Sequence, residues 1–130
     1  MQEVWKDVLG YEGLYQVSNY GNVRSIKRQG SNGNYLKQRI DKNGYKCVVL
    51  CKHNSLKNFF VHRLVATAFI ENKNAYPCVN HKDENKENNE VNNLEWCTVR
   101  YNNLYNGLII RKIQKRQKNR LNRMAGVING

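Results

Sequence analysis

Residues 82–93, KDENKENNEVNN, constrain the fold more than any other stretch of the chain. With Val91 as its one apolar side chain, this run cannot line a core and has to be a loop. Short apolar knots stand on either side, CVNH at 78–81 and LEW at 94–96, each long enough for one short strand. From about Thr98 the pattern turns helical, with Thr98 as the candidate N-cap. Strand, polar loop, strand and helix make a ββα unit. Such a unit presents His81 at the end of its first strand, facing the first turns of the helix.

Those residue types carry a specific chemistry. A neutral imidazole is well matched to taking a proton from water near pH 7. Hard divalent cations prefer oxygen ligands, which Asn and Asp side chains supply. A base beside a cation that stabilises a leaving oxygen is a minimal site for phosphodiester cleavage. An Asn-rich turn whose His merely caps or hydrogen-bonds the loop fits the same residues. Composition leaves both readings open.

The charge narrows the partner. The formal net charge is +12, and residues 111–123, RKIQKRQKNRLNR, hold seven cations and no acid. The remainder has fifteen cations and ten acids, hence +5 against +7 for this segment. Six of the ten acids fall between residues 71 and 95. A basic body with one acidic patch points to a polyanion, with a cation held at the contact. A membrane surface would attract the same charge, but Ile109, Ile113, Leu121 and Met124 form too thin a stripe for an interfacial helix. The runs VVLC and LVATAFI are too short to cross a bilayer. Met-Gln-Glu-Val-Trp is no secretory start, so a cytoplasmic location is expected. Cys47, Cys51, Cys78 and Cys97 lack the two tight pairs of a zinc site and read as buried, reduced thiols.

The first sixty residues read as an antiparallel β meander. LYQVS and VRSIK flank NYGN, and YLKQRI and YKCVVL flank DKNG, whose Asn-Gly suits a type I′ hairpin turn. KNFFV would be a further short strand. HRLVATAFI reads as a helix with Leu64, Val65, Ala68 and Phe69 on its core side. Trp5 and Trp96 are expected as core anchors, and Tyr11 and Tyr15 as packing or DNA-backbone residues. The class is α+β. It divides into a β-rich region at 1–61, a leading helix with the ββα unit at 62–107, and a basic arm at 108–130, with Gly107 interrupting the helix between the last two.

The stretch VNHKDENKENNEVNNLEWCTVRYNN, 79–103, resembles the HNH motif of phage and intron-encoded homing endonucleases. VHRLVATAFI matches the segment that leads into that motif. EVWKDVLGYEGLYQVSNYGNVRS, 3–25, resembles the modular N-terminal DNA-binding motif that accompanies such nucleases. The resemblance implies a phage-encoded ββα-metal endonuclease that hydrolyses phosphodiester bonds in double-stranded DNA with Mg²⁺ or Mn²⁺, in a bacterial host cell. It implies His81 as general base and Asn93 as the amide that braces the loop and orients it. Asn80 and Asn102 would be metal ligands, with Asp83 the nearest carboxylate to support the uncharged Asn80, and Asn103 replacing Asn102 if the helix register shifts by one.

His62 matches a family position and is expected to be structural or to touch phosphate; His53 is expected in a solvated turn. The candidate DNA-contacting cations are Arg24, Lys27, Arg28, Lys37, Arg39, Lys46, Arg63, Arg100, Arg111, Lys112, Lys115 and Arg116. One site per chain makes nicking the natural act of a monomer, whereas a double-strand break needs a dimer or two visits. No complete helix-turn-helix module is visible after the ββα unit, which implies a shorter or looser target. A DNA-binding module with a decayed site is the alternative, because Asn80 and Asn102 stand where stronger ligands are common. RNA binding through the basic tail is a third reading.

Overall fold

A computed structural model describes residues 1–27, 33–105 and 114–121. The chain is α+β, built on three antiparallel sheets. The first contains β1 (Trp5–Asp7), β2 (Tyr15–Ser18) and β3 (Val23–Ser25), in that order. The second contains β4 (Arg39–Ile40), β5 (Lys46–Lys52) and β6 (Ser55–Phe60). Helix α1 (Val61–Phe69) then leads to the two-stranded sheet of β7 (Cys78–His81) and β8 (Leu94–Cys97), followed by α2 (Val99–Tyr105).

Helix α1 organises the core. Val61, Leu64 and Val65 recur at helical spacing and are buried, with Ala66 beside them and Ala68 and Phe69 packed at the margin. They meet Val17 and Val23 from the first sheet, Val48 and Leu50 from the second, and Val79 and Leu94 from the third. Each such side chain taken out of water contributes about 1.5–3 kcal/mol. One core therefore joins all three sheets.

One turn and one strand differ from the sequence expectation. In DKNG only Gly44 has positive φ, at 89°, so the turn is not type I′, which needs two such residues. The Asp41 side chain is the reason: its Oδ1 accepts from Asn43 N and Tyr45 N, both at 2.9 Å, and holds Asn43 in ordinary backbone space. The paired positive φ values occur instead at His53 and Asn54, between Lys52 and its partner Ser55. His53 is thus the first residue of a two-residue hairpin turn. YLKQRI also departs from the expected strand, since only Arg39–Ile40 pairs regularly. Its front half turns to the first sheet: Leu36 N donates to Val23 O, and Tyr35 bridges Arg24. Strand β1 was not anticipated from the sequence.

The β2–β3 turn touches the third sheet's loop. Gly21 has φ +89°, and a Cβ there would lie 2.9 Å from Asn89 Cβ and 3.0 Å from Asn89 O. Val91 N donates to Asn19 O at 2.9 Å, a second tie between the same two segments. Gly21→Ala should lower unfolding stability by about 1–3 kcal/mol, from the φ penalty together with the collision. Denaturant unfolding of the two proteins checks it, and equal midpoints would show that the turn can move aside.

Candidate functional site

The site is assembled on β7 and β8, which pair Asn80 with Glu95 and His81 with Leu94. Trp96 anchors this ribbon by donating its indole N–H to Ile70 O at 2.9 Å, just past α1. Thr98 caps α2, its Oγ1 accepting from Tyr101 N at 3.1 Å. The Tyr105 hydroxyl donates to Lys82 O, which ties α2 to the residue after His81.

The loop between the strands has almost no apolar surface, so its backbone groups must be satisfied locally. Asn93 does much of this. Its Oδ1 accepts from Asp83 N at 3.0 Å, while its Nδ2 donates to Asn88 O at 2.8 Å and Asp83 Oδ1 at 2.9 Å. Its backbone carbonyl accepts from Lys82 N at 2.7 Å. Asp83 is drawn into the same lattice: Oδ1 also accepts from Asn85 N, and Oδ2 from Asn88 Nδ2. Those donors, Asn88 first, hold the Asp83 carboxyl below its ordinary pKa.

His81 lies at the end of β7, only 4% exposed. Its Nε2 is 2.7 Å from Asn89 Oδ1. The His62 ring lies 5.0 Å away between centroids, and Tyr45 stacks on His62 at 5.1 Å. Burial lowers the His81 pKa, opposed by the Asn89 hydrogen bond and the Asp83 charge. Burial, with the positive charges of His81 and Arg63, pushes His62 down to about 3. Both rings are therefore neutral near pH 7, which suits His81 to accepting a proton.

Asn80 is 1% exposed and donates Nδ2 to Glu95 Oε1 at 3.0 Å, while its Oδ1 is buried without a hydrogen-bond partner. Helix α2 packs against β7 and carries Asn102, half-buried, and Asn103, exposed. Among the described residues no group of three or more His, Cys, Asp or Glu converges as a ligand set. The four cysteines are free, and burial raises the Cys97 thiol to about 11, away from the thiolate a metal would need.

The proposed DNA-contacting cations divide by their present engagements. Arg24 donates to Gln16 Oε1 from Nε and Nη2, at 3.0 and 2.7 Å, and lies 3.9 Å over the Trp5 ring. Arg63 donates to Pro77 O at 2.7 Å. Lys27, Lys37, Arg39 and Arg100 are exposed and Lys46 half-buried; Lys115 and Arg116 are exposed on a helical stretch at 114–121. Arg28, Arg111, Lys112 and Gly107 lie outside the described residues. Sequence reasoning did not single out Tyr45 or Asn89. Asn89 is one amide among many in the loop, and only its place beside His81 distinguishes it.

Residues 3–51 match the NUMOD4 motif. The chain is 50% identical over 98 residues to DNA endonuclease I-HmuI of Bacillus phage SP01, covering 75% of this chain and 54% of that protein. The solved structure of DNA binding and cleavage by the HNH homing endonuclease I-HmuI superposes with a TM-score of 0.72, at 44% identity, over 88% of this chain and 66% of that one. The chain is a relative of the HNH homing endonucleases. An uncharacterized HNH endonuclease of Acanthamoeba polyphaga mimivirus is 51% identical over 71 residues, 55% of this chain and 22% of that protein. This chain thus spans about half the length of I-HmuI, and less of the viral relative. In the loop between β7 and β8, Asn93→Ala should cost about 1–3 kcal/mol, because it orphans several loop groups together. Thermal unfolding checks this, and an unchanged midpoint would mean that the loop closes without the amide.

Proposed function

We propose that this chain is a divalent-metal-dependent HNH endonuclease that hydrolyses phosphodiester bonds in double-stranded DNA, with His81 as general base. The observation that carries the proposal is a buried, neutral His81 next in sequence to Asn80, whose side-chain oxygen has no partner, on a chain half identical over 98 residues to a phage DNA endonuclease. His81 Nε2 is engaged by Asn89, so Nδ1 is the nitrogen left to take the proton of the attacking water. The new P–O bond forms as the bond to the leaving sugar oxygen breaks.

The donor set fits a hard cation. Asn80 Oδ1 is an oxygen without a partner, held in place because its own amide nitrogen binds Glu95. HNH endonucleases are generally divalent-metal dependent. Asn80 and Asn102 would hold Mg²⁺ or Mn²⁺, with Asp83 able to act through water. A bound cation would supply positive charge to the developing negative charge on the leaving oxygen. Asn93 serves by keeping the loop closed around the base.

DNA would be held through phosphates by the exposed cations, above all Lys27, Lys37, Arg39 and Arg100 and the 111–123 arm. A single site acting as a monomer would nick one strand. A first test incubates supercoiled plasmid with the protein and Mg²⁺ or Mn²⁺. His81→Ala should slow cleavage by about 10²–10⁴ while DNA affinity stays within a few-fold. Cleavage by this variant at the wild-type rate, or by the wild type in excess EDTA, would sink the mechanism.

The arm is tested by salt. If residues 111–123 neutralise about four to six phosphates, truncation after Gly107 should reduce the slope of log K against log salt by roughly that number. Affinity should fall alike on every sequence, since phosphate contacts carry no base information. Equal slopes for the two lengths would mean that the arm does not touch DNA.

A further inference from the structure

The His81 ring is held by a residue that the HNH resemblance does not assign. Asn89 is 4% exposed, and its Oδ1 lies 2.7 Å from His81 Nε2. An amide oxygen can only accept, so this contact requires the proton of the neutral ring to sit on Nε2. The lone pair then belongs to Nδ1, which has no hydrogen-bond partner among the described residues and is not among the buried orphan atoms.

Asn89 is itself fixed from the N-terminal sheet. Gly21 packs so closely that a Cβ would meet Asn89 Cβ at 2.9 Å and its carbonyl oxygen at 3.0 Å. Two residues on, Val91 N donates to Asn19 O at 2.9 Å. The turn that presents Gly21 is stiff: Ser18 Oγ accepts from Tyr20 N and Asn22 N, and Gly21 N donates to Ser18 O. Asn19 is anchored in turn, its Oδ1 accepting from Val4 N at 2.7 Å. The amide nitrogen of Asn89, Nδ2, is buried without a partner. A buried amide with one half unsatisfied is costly, so the oxygen's contact with His81 is what the site retains it for.

We infer that Asn89 is a positioning residue for His81, fixing the ring's orientation and its Nε2–H tautomer, and that the Gly21 turn of the N-terminal sheet wedges Asn89 in place. The N-terminal motif is then part of the cleavage machinery as well as a route to DNA. This inference rests on the proposed role of His81 as base, and its effect on cleavage depends on that role. Its effect on the ring does not.

The test labels the full chain with ¹⁵N-histidine and assigns the His81 signals by their loss in His81→Ala. At a pH where the ring is neutral, the wild-type protein should carry its proton on Nε2. Asn89→Leu keeps the branched shape, at a somewhat larger volume, and removes both the acceptor and the unsatisfied nitrogen. In that variant the proton should redistribute toward Nδ1, because a buried Nε2–H would be left without a partner. Turnover should fall about 10- to 100-fold with KM and DNA affinity nearly unchanged. A wild-type ring protonated on Nδ1 overturns the inference, whatever becomes of the variant. So does an Asn89→Leu protein with the wild-type tautomer, even if turnover falls, since Asn89 would then support only the loop. A chain that never cuts DNA would sink the nuclease reading while the ring's proton still decides the role of Asn89.

Discussion

The Asn93 side chain, bridging both ends of a loop that has no core of its own, is the interaction on which the rest of the site depends. A loop of amides, acids and lysines cannot be held by burial, and unpaired backbone groups near β7 would each be costly. Asn93 answers Asp83 N with its oxygen and reaches Asn88 O and Asp83 Oδ1 with its nitrogen. Side-chain turns at Asp83 and Asn85 close the interior of the loop. The abundance of Asn in this stretch follows: an amide both donates and accepts, and can stand in for a missing backbone partner on either side.

With the loop closed, the hydrophobic core decides the state of His81. Helix α1 brings His62 against His81, with Tyr45 stacked behind it, and the resulting apolar, aromatic wall disfavours charge on both imidazoles. Lys86 completes the wall, donating to Asn43 O at 2.8 Å while lying 4.7 Å over the Tyr45 ring. In the proposed mechanism this desolvation is useful, because it keeps a proton acceptor free at neutral pH.

Charge is spent in two ways across the molecule. Some cations are absorbed into the fold: Arg24 lies on Trp5 and binds Gln16, Arg63 reaches Pro77 O, and Lys52 reaches Gly10 O. Others, such as Lys37, Arg39 and Arg100, stand exposed with their charge toward solvent. The excess of positive charge is thus partly structural, and the sequence alone does not separate the two groups. An Arg beside a Gln on the next strand looks the same, in one dimension, as an Arg offered to phosphate.

The local elements were legible because their causes are local. The polar run had to be a loop, Thr98 caps α2, Leu64 and Val65 face the core, and Trp96 pins β8, all from residue type and spacing. The HNH motif likewise lies within one continuous stretch, so its His and amides could be named in order. Turn types were harder: the Asp41 side chain sets the backbone of DKNG, and the paired positive φ values lie in a different hairpin, at His53 and Asn54. Contacts between distant segments were not legible at all. Gly21 against Asn89, Tyr45 on His62 and His62 on His81 join residues far apart in the chain, and nothing in either partner's own neighbourhood calls for the other. Sequence determined which side chains the site would have; only close packing of three sheets around α1 decided which of them touch, because packing depends on shape in three dimensions rather than on spacing along one.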